Sequence, residues 1–138
     1  MEDSEFNTEI NKSIYSIEKN RYGHIILILK DLFPRKLNKN QCELLILHII
    51  DTVRNSLDIS KKYEKNKNYT HLYIDNCSIK NFDKEVFKNI NKRLAEQFPE
   101  TLENLYIYTN SKILFLIWPI LKKFLDPVTQ QKIKIIRR

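Results

Sequence analysis

The stretch from Ser111 to Leu125 limits the chain more than any other, because it reads as a helix that is apolar nearly all round. Ser111 can cap it, and Ile113, Leu114, Phe115, Leu116, Ile117 and Trp118 fill its first turns. Asp126-Pro127 ends it, since the residue before a proline is pushed out of the α region. Leu105 to Tyr108, just upstream, is the β-branched and aromatic run expected of a strand, and a final strand follows the Asp-Pro turn. A surface helix is apolar along one stripe only. This one is either enclosed in a core or turns a face to something greasy that is not protein.

Strands and helices alternate upstream as well. Ser13 to Ile17 reads as a short strand that turns through Lys19 to Gly23 into a second strand, His24 to Leu29. Gly23 is the only glycine, and a turn that needs positive φ is its expected place. Pro34 breaks the next loop, and Asn38 caps a helix from Lys39 to about Leu57 with Leu45, Ile46, Ile49, Ile50, Val53 and Leu57 on its buried face. A lysine-rich loop leads to a strand from Tyr69 to Asp75. Asn81 or Asp83 then caps a helix reaching Gln97, with Val86, Phe87, Ile90, Leu94 and Phe98 inward and Lys84, Lys88 and Lys92 on a solvated face. This alternation predicts an α/β fold with a mainly parallel sheet. Residues 1–11 read as a flexible tail and 12–138 as one domain.

Lys and Arg number 24 against 17 Asp and Glu, a net charge of +7. That surplus suits an anionic partner: nucleic acid, an anionic membrane or a phosphorylated small molecule. The basic stretches lack aromatic interleaving and any nucleic-acid motif, which argues against the first. With one glycine, neither a P-loop nor a dinucleotide fingerprint can exist. There is no Gly-x-Ser-x-Gly elbow. His24, His48, His71, Cys42 and Cys77 have no metal-ligand spacing, so neither a catalytic nor a metal site is expected. The cysteines suit a reducing compartment. The opening MEDSEFNTEINK is acidic and polar, unlike a signal peptide, and no apolar run approaches the ~20 residues of a membrane span. A cytoplasmic non-enzyme with only transient membrane association is the expectation.

Phe98-Pro99-Glu100, then Phe124-Leu125-Asp126-Pro127-Val128-Thr129, then Lys132-Ile133 resembles the C-terminal half of a CRAL-TRIO domain. That is the fold of phosphatidylinositol transfer proteins and of retinoid or tocopherol carriers. Upstream, Arg21-Tyr22-Gly23-His24-Ile25 and Leu72-Tyr73-Ile74-Asp75 stand where the family has a Gly-Arg-Pro-Val segment and an apolar strand ending in Asp. The resemblance implies about five strands in a mainly parallel mixed sheet flanked by helices, with an apolar lipid cavity closed by a gate helix. It implies a minimal form, without the family's N-terminal helical domain or the segment that wraps the gate. Asn110-Ser111-Lys112 replaces the family's Asn-Ala-Pro.

By the same resemblance Thr129, Lys132 and Glu100 belong to the lipid headgroup site, Glu100 through a salt bridge linked to gate movement. A hydroxyl and an ammonium around one turn can both reach a phosphate. Ser111 to Leu125 becomes the gate, with Phe115, Trp118, Leu121 and Phe124 as acyl-chain or bilayer contacts or as ordinary core. Pro119 should kink it. Lys122, Lys123 and Lys134 are membrane or phosphate contacts, suited to more phosphates than phosphatidylinositol carries. The implied function is binding and intermembrane exchange of phosphatidylinositol or a phosphoinositide such as the bisphosphate. The implied ligand is bound phospholipid, with no other cofactor, and the protein is a monomer or homodimer. The alternative is a protein-interaction module of the same origin without a transferable lipid. Retinoids, sterols and haem, carried by some family members, stay open as ligands.

Overall fold

The structure, a computed structural model, describes residues 2–29, 36–75 and 83–137. Its elements are α1 (Asp3–Ser13), β1 (Ile14–Lys19), β2 (Tyr22–Ile28), α2 (Lys39–Lys61), β3 (Asn68–Tyr73), α3 (Lys84–Gln97), β4 (Leu102–Thr109), α4 (Ser111–Phe124), α5 (Pro127–Gln131) and β5 (Ile133–Arg137). The five strands form one mixed sheet in chain order, β1 antiparallel to β2 and the others parallel. Parallel strands need a crossover, and right-handed crossovers taken in one direction put every helix on the same side. Accordingly Ile25 of β2 packs with Leu45, Ile49 and Val53 of α2, while Leu72 and Ile107 pack with Leu114 of α4 and with Phe87 of α3. Among the described residues no helix covers the other sheet face.

Local chemistry sets the helix starts. The Asn38 side chain accepts from Gln41 N–H at 2.8 Å and Gln41 returns the bond to Asn38 N–H at 3.1 Å, a closed capping box. Asp83 caps α3 by accepting from Glu85 and Val86 N–H. Pro34, Asn81 and Cys77 lie outside the described residues.

Two expectations are corrected. The expected tail of residues 1–11 is not loose from residue 3 on: residues 3–11 form most of α1, whose Phe6 and Ile10 are each 1% exposed within the core under α2. The helix was concealed by its polar composition, since two well-spaced apolar side chains suffice to dock it. Gly23 does not occupy the turn either. Asn20 and Arg21 make it, with φ of 53° and 68°. Gly23 lies in β2 without positive φ, where it is pressed against α2.

Candidate functional site

At the start of β4 and β5 the chain makes a corner that contains the expected headgroup residues. The Asp-Pro segment does more than turn: Asp126 accepts Thr129 N–H at 2.6 Å and starts α5. Lys132 ends α5, and its ammonium donates to the Leu102 carbonyl at 2.7 Å. Because β4 and β5 are parallel, Leu102, which opens β4, and Lys132, which immediately precedes β5, lie towards the same end of the sheet. Glu100, in a left-handed turn at φ 56°, lies just before Leu102. Among the described residues Glu100 joins no ion pair, and the Thr129 hydroxyl makes no hydrogen bond. The Lys132 ammonium has three donors, so one carbonyl leaves capacity for an anion.

The expected gate residues divide. Leu114 is buried and Trp118 half-buried, packed on Leu72, Ile74 and Ile107, so Trp118 serves the core. Phe115 is 81% and Leu116 52% exposed, with Lys112, Lys122 and Lys123 also exposed on α4. Leu116 was not singled out from the sequence, because in a helix apolar all round the outward stripe has no polar contrast. The side chains of Leu121 and Phe124 lie outside the described residues. Pro119 is inside α4. Lys134 does not join Lys122 and Lys123. Its register with Tyr106 puts it on the sheet face away from α4.

That second face holds a feature the sequence reading missed. Alternation brings Tyr22 and His24 of β2, Tyr69, His71 and Tyr73 of β3, and Tyr106 and Tyr108 of β4 to one side. Their rings stack across the strands, His24 on Tyr69 at 4.9 Å, His24 on His71 at 5.2 Å and His71 on Tyr106 at 5.1 Å between centroids. With Lys19 and Asn20 they line an open concavity of about 330 Å³. A neighbouring one of about 370 Å³ is lined by the β1–β2 turn and Lys62 to Lys65. Neither lies beneath α4.

A hydrogen-bond chain runs through the floor of the first concavity. His24 Nε2 lies 3.0 Å from the Lys19 carbonyl, which can only accept, so this nitrogen carries a proton. In the neutral ring His24 Nδ1 is then an acceptor for His71 Nε2–H at 2.9 Å, and His71 Nδ1 accepts from the Tyr108 hydroxyl at 2.7 Å. Burial lowers the pKa of both imidazoles. For His71, burial first and then the positive charge of His24 and Lys19 bring it down to about 4. Burial likewise pushes the Tyr69 phenol up, followed by the Glu103 charge. The sequence signal was present as Tyr-x-His, Tyr-x-His-x-Tyr and Tyr-x-Tyr on three strands. It could be read only once the strands were known to be neighbours.

Residues 11–138 match the family model of the CRAL/TRIO domain. The chain belongs to that family. The phosphatidylinositol/phosphatidylcholine transfer protein SFH7 of Arabidopsis thaliana is 33% identical over 66 residues, 46% of this chain and 12% of that protein. The crystal structure of Sfh5 matches in fold with a TM-score of 0.76 at 15% identity, over 93% of this chain and 50% of its own. The chain thus spans half or less of these relatives. In this CRAL/TRIO chain no helix among the described residues is long and apolar enough to cross a membrane, and none of the described residues form a His, Cys, Asp or Glu group able to hold a metal ion.

Proposed function

We propose that this CRAL/TRIO domain binds phosphatidylinositol or a phosphorylated phosphoinositide and exchanges it between membranes, without catalysis. The observation that carries the reading is the corner at Thr129 and Lys132, where a hydroxyl without a hydrogen bond among the described residues and a partly used ammonium stand three positions apart. Membership of the family and the likeness to a phosphatidylinositol/phosphatidylcholine transfer protein support a phospholipid over other anions. Glu100, Lys122 and Lys123 belong to the same reading, the first beside the headgroup and the other two at an anionic membrane surface. The protein works from the cytoplasm as a monomer or homodimer and touches membranes transiently.

Carriage requires enclosure. Exposing two acyl chains to water costs about 0.8 kcal/mol per CH₂, roughly 25 kcal/mol for a common phospholipid. A lining of apolar side chains replaces the bilayer at nearly no net cost, so closure of the pocket controls the rate of exchange.

Native extraction with lipid mass spectrometry on the protein and on Thr129→Ala/Lys132→Ala tests the proposal. A stoichiometric inositol lipid that disappears in the double variant is the expected result. A folded protein that carries no lipid would discard the reading in favour of the interaction module. Equal transfer of phosphatidylinositol and its bisphosphate would remove the preference for a headgroup with additional phosphates.

A further inference from the structure

We propose that the concavity on the open sheet face is a second ligand site, built for an aromatic carboxylate and separate from the Thr129–Lys132 corner. Among the described residues its lining supplies hydrogen-bond donors and no acid. The Lys19 ammonium and the hydroxyls of Tyr22, Tyr69 and Tyr106 have no hydrogen bond or ion pair among the described residues, and the Asn20 amide joins them at the rim. The acids nearby are occupied elsewhere. Glu18 accepts from Tyr63 and pairs with Lys62, and Glu103 pairs with Lys67 at 4.0 Å. A pocket with unspent donors and no acceptor charge is complementary to an anion.

The aromatic half of the ligand follows from the ring geometry. The stacked rings stand side by side across the strands, so their faces are spent on one another and their edges point outward. Ring edges carry the positive end of the aromatic quadrupole and favour the face of another ring, the edge-to-face arrangement. An arene laid across the row gains several such contacts together. The volume of about 330 Å³ lies at the small end of the usual range of roughly 300–1,000 Å³, enough for a bicyclic acid.

The floor makes the site respond to protons. In the neutral chain the Tyr108 hydroxyl hydrogen is held by His71 Nδ1. One added proton reverses the direction of the bonds: His24 Nδ1–H donates to His71 Nε2, and His71 Nδ1–H donates to the Tyr108 oxygen. The added positive charge, shared by the His24–His71 pair, then attracts a carboxylate above it. A second proton would set two N–H groups against each other across 2.9 Å, so the pair accepts one. Among the described residues the titratable groups on that face are Tyr15 and Lys19 on β1, Tyr22 on β2, Tyr69 and Tyr73 on β3, Tyr106 and Tyr108 on β4 and Lys134 on β5. None is an acid, so without ligand nothing holds the extra proton near neutral pH. A bound carboxylate does, and its binding is coupled to proton uptake.

Calorimetry on the full chain with 2-naphthoate, neutral 2-naphthamide and inorganic phosphate tests this. Naphthoate is expected to bind one to one, naphthamide at least tenfold more weakly, and phosphate without saturation. Naphthoate affinity should rise between pH 8 and pH 5, by at most tenfold per pH unit because a single proton is taken up. Titrations in buffers of different ionisation enthalpy should show uptake between zero and one proton. Lys19→Met and Tyr106→Phe, which keep the stem and the ring, should each weaken naphthoate at least fivefold with unchanged unfolding midpoints. Thr129→Ala/Lys132→Ala should leave naphthoate affinity unchanged, which separates this site from the lipid corner. No binding, equal binding of acid and amide, equal binding of phosphate, or affinity independent of pH would each overturn the proposal.

Discussion

Gly23 lies so close to Ser56 that a methyl group on its Cα would come within 1.8 Å of the Ser56 carbonyl oxygen. Serines surround the contact. Gly23 N–H donates to Ser60 Oγ at 2.8 Å, Ser60 Oγ donates to the Lys67 carbonyl at 2.7 Å, and Asn68 donates to Ser56 Oγ at 3.0 Å. Ser56 and Ser60 are fully buried, yet among the described residues no buried side-chain polar atom lacks a partner. This seam sets α2 against β2 and the start of β3, and so positions Tyr22, His24 and Tyr69. Gly23→Ala should cost about 3 kcal/mol, the upper range for overpacking, because helix backbone and not a side-chain tip stands in the way. The midpoint of urea unfolding reads it directly. An unchanged midpoint would mean that α2 withdraws at little cost.

Phe6→Ala should destabilise the protein by about 4 kcal/mol, as expected for truncating a large buried aromatic. Phe6 packs with Ile10 and Ile14 in the same cluster as Leu45 and Val53, so the loss should appear in the single global transition. Loss of far-ultraviolet helix signal at low urea, ahead of that transition, would instead show α1 detaching by itself.

His71 predicts a pH dependence of defined sign. Its pKa is about 4 in the folded chain against an ordinary 6.5, so the unfolded state binds the proton first. The stability this neutral ring confers is complete above about pH 6.5 and is lost as pH falls towards 4. The interval is worth about 3 kcal/mol at face value, and about 2 kcal/mol after solvent screening of a half-buried ring. Between pH 7.5 and pH 4 the protein should therefore lose about 2 kcal/mol more than His71→Gln, measured by chemical unfolding. Parallel losses would show that the carboxylates alone govern acid stability.

Much of the fold was legible because its signals are local. The strand runs, the Asn38 cap, the Asp126-Pro127 break and the inward stripe of α2 each fix an element from neighbours in sequence. The Thr129–Lys132 corner was legible for a different reason, since its motif lies within one short turn. What failed depended on partners distant in sequence. Phe6 and Ile10 look unremarkable until α2 is placed over them. Gly23 looked like a turn glycine because nothing nearby announces Ser56. The His24–His71–Tyr108 chain joins β2, β3 and β4 and has no expression in any one of them.

The outer stripe of α4 predicts a separation of stability from membrane affinity. Phe115 and Leu116 bury little in the folded chain, so Phe115→Ser/Leu116→Ser should leave the unfolding midpoint nearly unchanged. On the lipid-exchange reading these side chains enter the bilayer beside Lys112, Lys122 and Lys123. The double variant should therefore co-sediment with anionic vesicles at least tenfold less well, which corresponds to at least about 1.4 kcal/mol. Unchanged sedimentation would place membrane contact elsewhere on the molecule.

Lys132 separates a structural role from a ligand role most sharply. Its ammonium holds the Leu102 carbonyl at 2.7 Å, and a lysine immediately before an edge strand also discourages sheet-to-sheet association. If that were its whole purpose, Lys132→Met would keep the stem, lose one bond near solvent and cost about 1 kcal/mol. Any loss of lipid exchange would then follow the fraction unfolded, which is negligible at that cost. If the remaining donors hold a phosphate, exchange of an inositol lipid should fall at least tenfold while the unfolding midpoint moves only slightly. Thr129→Val, which removes the hydroxyl and keeps the shape, should lower exchange in the same direction. In the double variant the losses should be less than multiplicative, because both groups would be gripping one headgroup. Exchange assays and urea unfolding on the three variants decide it, and loss of stability in proportion to loss of exchange would make Lys132 a latch between the starts of β4 and β5 and nothing more.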